Sequence, residues 1–169
     1  MLTIEILKQY LPLCWLKHNP LELTRSTSFF KQNLFFYFIF EYFMQANMTD
    51  DPFESFIEVA IQTLLTLLFI GVILHLNKAL YAYIQVTTAI LVCANIISVF
   101  VTPVLIWLTV SEDLLSYYSL GVLFLWEFIV MAYIFRQILA ITSSASLALS
   151  LLYFIATYFG AFAIGNILM

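Results

Sequence analysis

Polar residues are sparse along this chain and gather in short clusters between long apolar runs. The runs at about 56–76, 84–108, 114–135 and 147–168 each reach the roughly 20 residues that carry an α-helix across a ~30 Å hydrocarbon layer. The second and third are joined by a short turn holding Ser111, Glu112 and Asp113, which makes them a membrane hairpin. A further run, 29–44, is shorter and is interrupted by Lys31, Gln32, Asn33 and Glu41. Residues 1–18 follow another pattern: Leu2, Ile6, Tyr10, Leu13 and Leu16 recur near helical spacing with Glu5, Lys8, Gln9 and Lys17 between them, as in a helix lying in the membrane interface. The pattern predicts an all-α integral membrane protein, with five transmembrane helices preceded by a short amphipathic interfacial helix. Residues 1–18 form that segment, and residues 20–169 form one membrane domain.

Local chemistry marks where helices begin. Asn19-Pro20-Leu21-Glu22 and Asp51-Pro52-Phe53-Glu54 share a signature. A side-chain oxygen accepts from free backbone N–H groups, Pro occupies a position that needs no donor, and Glu three residues on favours the positive end of the helix dipole. For the interrupted run, Lys31 can snorkel at one end and Glu41 can sit near the headgroups at the other, with a surface-lying helix as the alternative. Pro103 lies near the outer end of its span, where a kink or early exit is tolerated. The last span follows a Ser/Thr-rich turn, and its pairs Ala156/Gly160 and Ala161/Gly165 have the four-residue spacing that lets helix backbones approach closely. Trp15, Tyr42, Tyr81, Tyr83, Trp107, Tyr117 and Tyr118 fall where an interfacial aromatic belt is expected.

Composition confirms that the solvent for most of the chain is lipid: 64% of the residues are hydrophobic and 9% charged, and mean hydropathy is +1.03, against about half and a quarter in soluble domains. Charge placement then sets direction. With five spans, all six basic residues, Lys8, Lys17, Arg25, Lys31, Lys78 and Arg136, fall on one side, and Asp50, Asp51, Glu54, Glu112 and Asp113 fall on the other. The basic side is cytoplasmic, so the amino terminus is expected inside and the carboxyl terminus outside. Four spans would split the basic residues between the two sides.

With only six Lys and Arg, and no basic cluster after the amino-terminal third, the chain has no footprint for nucleic acid. Cys14 and Cys93 are far apart and are read as packing residues rather than a disulfide or zinc pair, and Leu11-Pro12-Leu13-Cys14 lacks the apolar core a lipoprotein signal requires. His18 and His75 lack metal-ligand spacing, no hydrolase or phosphate-loop motif occurs, and no cofactor or metal is expected. The acidic group Asp50, Asp51, Glu54 and Glu58 reads as a helix cap and a solvated loop, with weak divalent-cation binding as the alternative.

Glu127 is the chemical clue, a carboxylate well inside a span. Inserting it charged costs on the order of 3 kcal/mol, so it should face the bundle, carry a proton or find a donor. Asn95, Tyr37 and Tyr153 lie at comparable depth as candidate partners. A proton or cation contact site and a neutral packing contact both fit.

The segment Tyr83-Ile84-Gln85-Val86-Thr87-Thr88-Ala89, the span closing with Pro103, and Trp126 leading into Tyr133-Ile134-Phe135-Arg136-Gln137-Ile138-Leu139 resemble the bacterial branch of the Yip-domain family of five-span membrane proteins. Asn19-Pro20 opening the first helix extends the resemblance over most of the chain. It implies a bacterial inner-membrane location, in which the outside position that the charges assign to the carboxyl terminus is the periplasm. The eukaryotic branch is associated with Rab GTPases and vesicle traffic. The bacterial branch implies no activity, and the short amino-terminal tail here holds no Rab-binding extension. The expected function is therefore that of a non-enzymatic scaffold or partner-binding subunit, with lipid, other membrane proteins or a second copy as partners. The alternative is a small transporter or proton-coupled permease subunit using Glu127. An intramembrane enzyme is third, because no catalytic pair is visible.

Overall fold

A computed structural model describes residues 2–47, 51–111 and 113–168, and every regular element among them is helical. Helix α1 (Leu2–Tyr10) runs into a 3-10 turn, Leu11–Trp15, and a second such turn spans Pro20–Glu22. Then come α2 (Thr27–Ala46), α3 (Pro52–Leu76), α4 (Tyr83–Ser111) and α5 (Leu114–Leu139). A final rod comprises α6 (Ser143–Phe154), a π turn at Ile155–Phe159 and α7 (Gly160–Leu168).

Among the described residues four helices are long and apolar enough to cross a membrane: Pro52–Leu76, Leu80–Ser111, Leu114–Leu139 and Ser143–Ile167. The protein is thus a multi-pass helical membrane protein by length and composition. Helix α2, at 20 residues, has the reach of a span, about 30 Å, but its polar residues keep it out of that group.

The two Pro entrances differ. Asp51 caps α3 as its sequence predicts, its Oδ1 accepting from Phe53 N at 2.8 Å and Glu54 N at 3.4 Å. Asn19 accepts from Leu21 N at 3.0 Å, yet the turn it opens ends at Glu22, and α2 starts anew at Thr27 under a Ser26 cap. Tertiary partners take the carbonyls a continuing helix would use: Gln85 Nε2 donates to Leu23 O at 2.7 Å, and the Tyr10 hydroxyl to Thr24 O at 2.9 Å. Pro103 does not end α4, which continues to Ser111.

The centre of the bundle is the first half of α4, where every residue from Val86 to Asn95 is buried. Helices α2, α3 and α5 pack around it. The amino-terminal segment docks there too. Tyr10 and Leu13 are fully buried, Trp126 Nε1 donates to Cys14 O at 2.9 Å, and the Tyr133 hydroxyl donates to His18 O at 3.1 Å. These bonds hold Leu16 and His18 in the left-handed region at φ 60° and 68°, a conformation that costs a non-glycine residue about 1–2 kcal/mol. Outside, Phe35 and Phe36 on α2, Leu64 and Leu68 on α3 and Phe162 on α7 are exposed, as lipid-facing side chains are.

Candidate functional site

Polar residues recur every four positions on α2, at Asn33, Tyr37, Glu41 and Gln45, and nearly so on α3, at Ser55, Glu58, Gln62 and Thr66. Residues at this spacing share one helix face. The two faces turn inward and meet: Asn33, Tyr37, Glu41, Glu58, Gln62 and Thr66 are all buried. Gln62 Nε2 donates to the Glu41 carboxylate at 3.0 Å and to the Tyr37 hydroxyl at 3.3 Å. Gln45 Nε2 donates to Glu58 Oε2 one turn further along. Tyr158, on the π turn of the last rod, lines the same cavity as Glu41, and the Thr66 hydroxyl is buried with no hydrogen-bond partner among the described residues.

Helix α5 completes the arrangement. Glu127 and Glu41 line one cavity of about 180 Å³, together with Gln45, Ser98 and Tyr158 and the apolar side chains Met44, Val101, Leu105 and Phe124. Glu127 is about nine-tenths buried, at 9% exposure, and among the described residues its carboxylate has no hydrogen-bond partner. Two carboxylates sharing a site of low dielectric cannot both ionise cheaply; they retain a proton or gather a cation. No side-chain cation of this protein serves, because all six Lys and Arg residues are exposed. The arrangement can therefore bind and release protons or a small cation.

The site sorts the residues singled out from sequence. Tyr37 joins Glu41 through Gln62, whereas Tyr153 is buried with its ring against Phe69 and Phe135. Asn95 does not join Glu41 either: its Nδ2 donates to Asn33 O at 3.0 Å and Asn33 Oδ1 at 3.3 Å, bracing α4 against α2 away from the cavity lining. Glu41, read from sequence only as the polar end of its run, is buried at 6% exposure, because the face it shares with Tyr37 and Asn33 meets α3 and α4. Gln62, Ser98 and Tyr158 were not singled out from sequence at all. The four-residue polar repeat on α2 was the available signal for Glu41, whereas a lone Ser or Tyr in an apolar run carries none.

Of the small residues, Ala161 and Gly165 are buried and Ala156 is half-buried. A Cβ added at Gly160 would lie 3.1 Å from Leu65 Cδ1, so this helix face meets α3 within the chain. His18 and His75 are exposed, and among the described residues no group of three His, Cys, Asp or Glu is placed to hold a metal. In the acidic group Asp51 is a cap and Glu58 is bound by Gln45, while Asp50, like Glu112 of the hairpin turn, lies outside the described residues. The cysteines that are remote in sequence are neighbours in space, with Cys14 Sγ and Cys93 Sγ 3.1 Å apart.

Fold and site together define a class, the multi-pass helical membrane proteins with a buried, carboxylate-lined cavity. Comparison with family models, with curated proteins and with solved structures finds no match to this chain.

Proposed function

We propose that this chain is a small transporter or permease subunit that binds and exchanges protons or a small cation at Glu41 and Glu127, within a Yip-like bundle of five spans in a bacterial inner membrane. The observation that carries the reading is the shared cavity: carboxylates from α2 and α5, 86 positions apart in the sequence, line one space into which no basic side chain projects. Deep ionisable groups are expensive to insert and mark ion paths when they cluster. A single glutamate would be satisfied by a packing role, and the second one favours exchange. No metal chemistry or covalent step is invoked, and the chain is read as a non-enzyme.

Helix α2 supplies the fifth span in this reading. The polarity that dilutes its apolar character faces the bundle, with Asn33, Tyr37 and Glu41 buried, while Phe35, Phe36 and Phe43 face outward. Five spans also keep every basic residue on one side, with the amino terminus cytoplasmic and the carboxyl terminus periplasmic. The docked segment 2–18 then lies at the cytoplasmic interface.

The scaffold reading draws less support. Gly160, one of the small residues that suggested a partner-binding helix face, lies against Leu65 of α3 in the same chain. The Yip resemblance remains in its favour but implies no specific partner.

The test is purified protein in sealed vesicles loaded with a pH-sensitive dye, with a proton or alkali-cation gradient imposed. The expected result is dissipation of the gradient that Glu127→Gln and Glu41→Gln each abolish while the bundle stays folded. Equal flux in protein-loaded and empty vesicles sinks the transport reading, and recovery of one reproducible membrane partner by pull-down would then favour the scaffold.

A further inference from the structure

The cavity leaves unused a second chemical feature, independent of it: the thiols of Cys14 and Cys93. We propose that they form a reversible oxidative modification site, closing to a disulfide that ties the amino-terminal segment to α4.

The two Sγ atoms are 3.1 Å apart, although their residues are 79 positions apart in the chain. A disulfide has S–S near ~2.0 Å, so closure requires about 1 Å of approach. Both residues are buried, at 0% and 1% exposure, and both are free thiols. Cys14 is held in place, because its carbonyl accepts from Trp126 Nε1 at 2.9 Å and the neighbouring Trp15 ring meets the Trp126 ring at 6.0 Å, edge to face. Cys93 is fixed in the most buried stretch of α4. The pair therefore sits between two anchored backbones, one in a short turn and the other in a helix.

The Cys14 thiol is fully buried, so a reagent reaches it only as the turn Leu11–Trp15 moves aside, and on that side the approach is open. Cys14, Trp15, Leu16 and Trp126 line an open pocket of about 420 Å³, walled mainly by apolar side chains, which admits a small lipophilic reagent. The co-reactant is a low-molecular-weight disulfide. Cys14, as thiolate, attacks one sulfur of that disulfide; the S–S bond breaks and one half leaves with a proton as a free thiol. Cys93 then attacks Cys14 Sγ in the mixed disulfide, and the second half leaves as a thiol. The two cysteines lose two electrons and two protons, and the reagent gains them. A cytosolic reductant reverses both steps, so under reducing conditions the pair rests open and closes only under disulfide stress. Closed, it clamps residues 2–18 onto the helix at the centre of the bundle.

The test uses the full chain in native membranes treated with dithiodipyridine. Remaining thiols are then blocked and the protein is digested with trypsin without reductant. Trypsin cuts after Lys8, Lys17, Lys78 and Arg136, so Cys14 falls in peptide 9–17 and Cys93 in peptide 79–136. The expected result is these two peptides joined, release of two equivalents of pyridinethione per chain, and separation on adding reductant. Cys93→Ser should stop at a reagent-capped Cys14, with one equivalent released. The proposal is overturned if both cysteines in the native chain end up separately capped, if the link joins Cys14 to Cys14 of another chain, or if neither reacts until the protein is denatured. It is equally overturned if peptide 9–17 comes away free of peptide 79–136 after oxidation.

Discussion

Gln62 on α3 gives its one side-chain amide to two acceptors on α2, the Glu41 carboxylate at 3.0 Å and the Tyr37 hydroxyl at 3.3 Å. This contact joins α2 to the bundle at the level of the cavity and orients the carboxylate that faces Glu127. Replacing Gln62 with Leu removes the donor and leaves Glu41 buried without it. A lost hydrogen bond to a buried carboxyl costs about 1.5–3 kcal/mol. The expected outcome is a lowered thermal midpoint in detergent, together with weakened proton or cation exchange. An unchanged midpoint would show that the amide contributes nothing to holding α2.

Gly160 approaches α3 closely, and substitution there measures how tightly the last rod is seated. A Cβ would stand 3.1 Å from Leu65 Cδ1, the flexible end of a side chain that can give way. Gly160→Ala should therefore be nearly neutral, whereas Gly160→Leu should destabilise by about 1–3 kcal/mol through overpacking. Combining Gly160→Leu with Leu65→Ala should recover part of the loss. Additive losses in that double variant, read by chemical unfolding in detergent, would place the crowding elsewhere.

Docking of the amino-terminal segment should fail at high pH for a nameable reason. Burial pushes the Tyr10 phenol up from 10.0 to about 12, and its hydroxyl donates to Thr24 O at 2.9 Å. The folded state therefore holds this proton more firmly than the undocked state. The phenol's contribution is fully present below pH 10, declines as pH rises from there, and is lost through about 12. Quenching of Trp15 fluorescence by an aqueous quencher should increase across that window, and Tyr10→Phe should lack the pH step. A step of the same size in Tyr10→Phe would assign it to another group.

Reporter fusions test the proposed fifth span directly. A periplasm-active reporter placed after Asn47 or after Met169 should be active, and one placed after Lys78 should be silent, if α2 crosses. A silent fusion after Asn47 would place α2 on the cytoplasmic surface and leave the four spans defined by length and composition.

The sequence by itself determined the solvent of this protein, its helical class and the location of four spans, because hydropathy and helix length are properties of contiguous residues. It also marked the Asp51 cap of α3, a contact made within four residues. Glu127 could be recognised as buried from its place in an apolar run. Its neighbours could not, except through the repeat of Asn33, Tyr37, Glu41 and Gln45, whose common face is visible once the helix is assumed. The rest was decided by tertiary structure: that Glu41 faces Glu127, that Asn95 turns to Asn33, and that Cys14 meets Cys93. In lipid, both the outer and the inner face of a helix are apolar, so the pattern along a span records little of its rotation or its neighbours. Those are set when the helices pack, and packing is what gathers two distant carboxylates into one cavity.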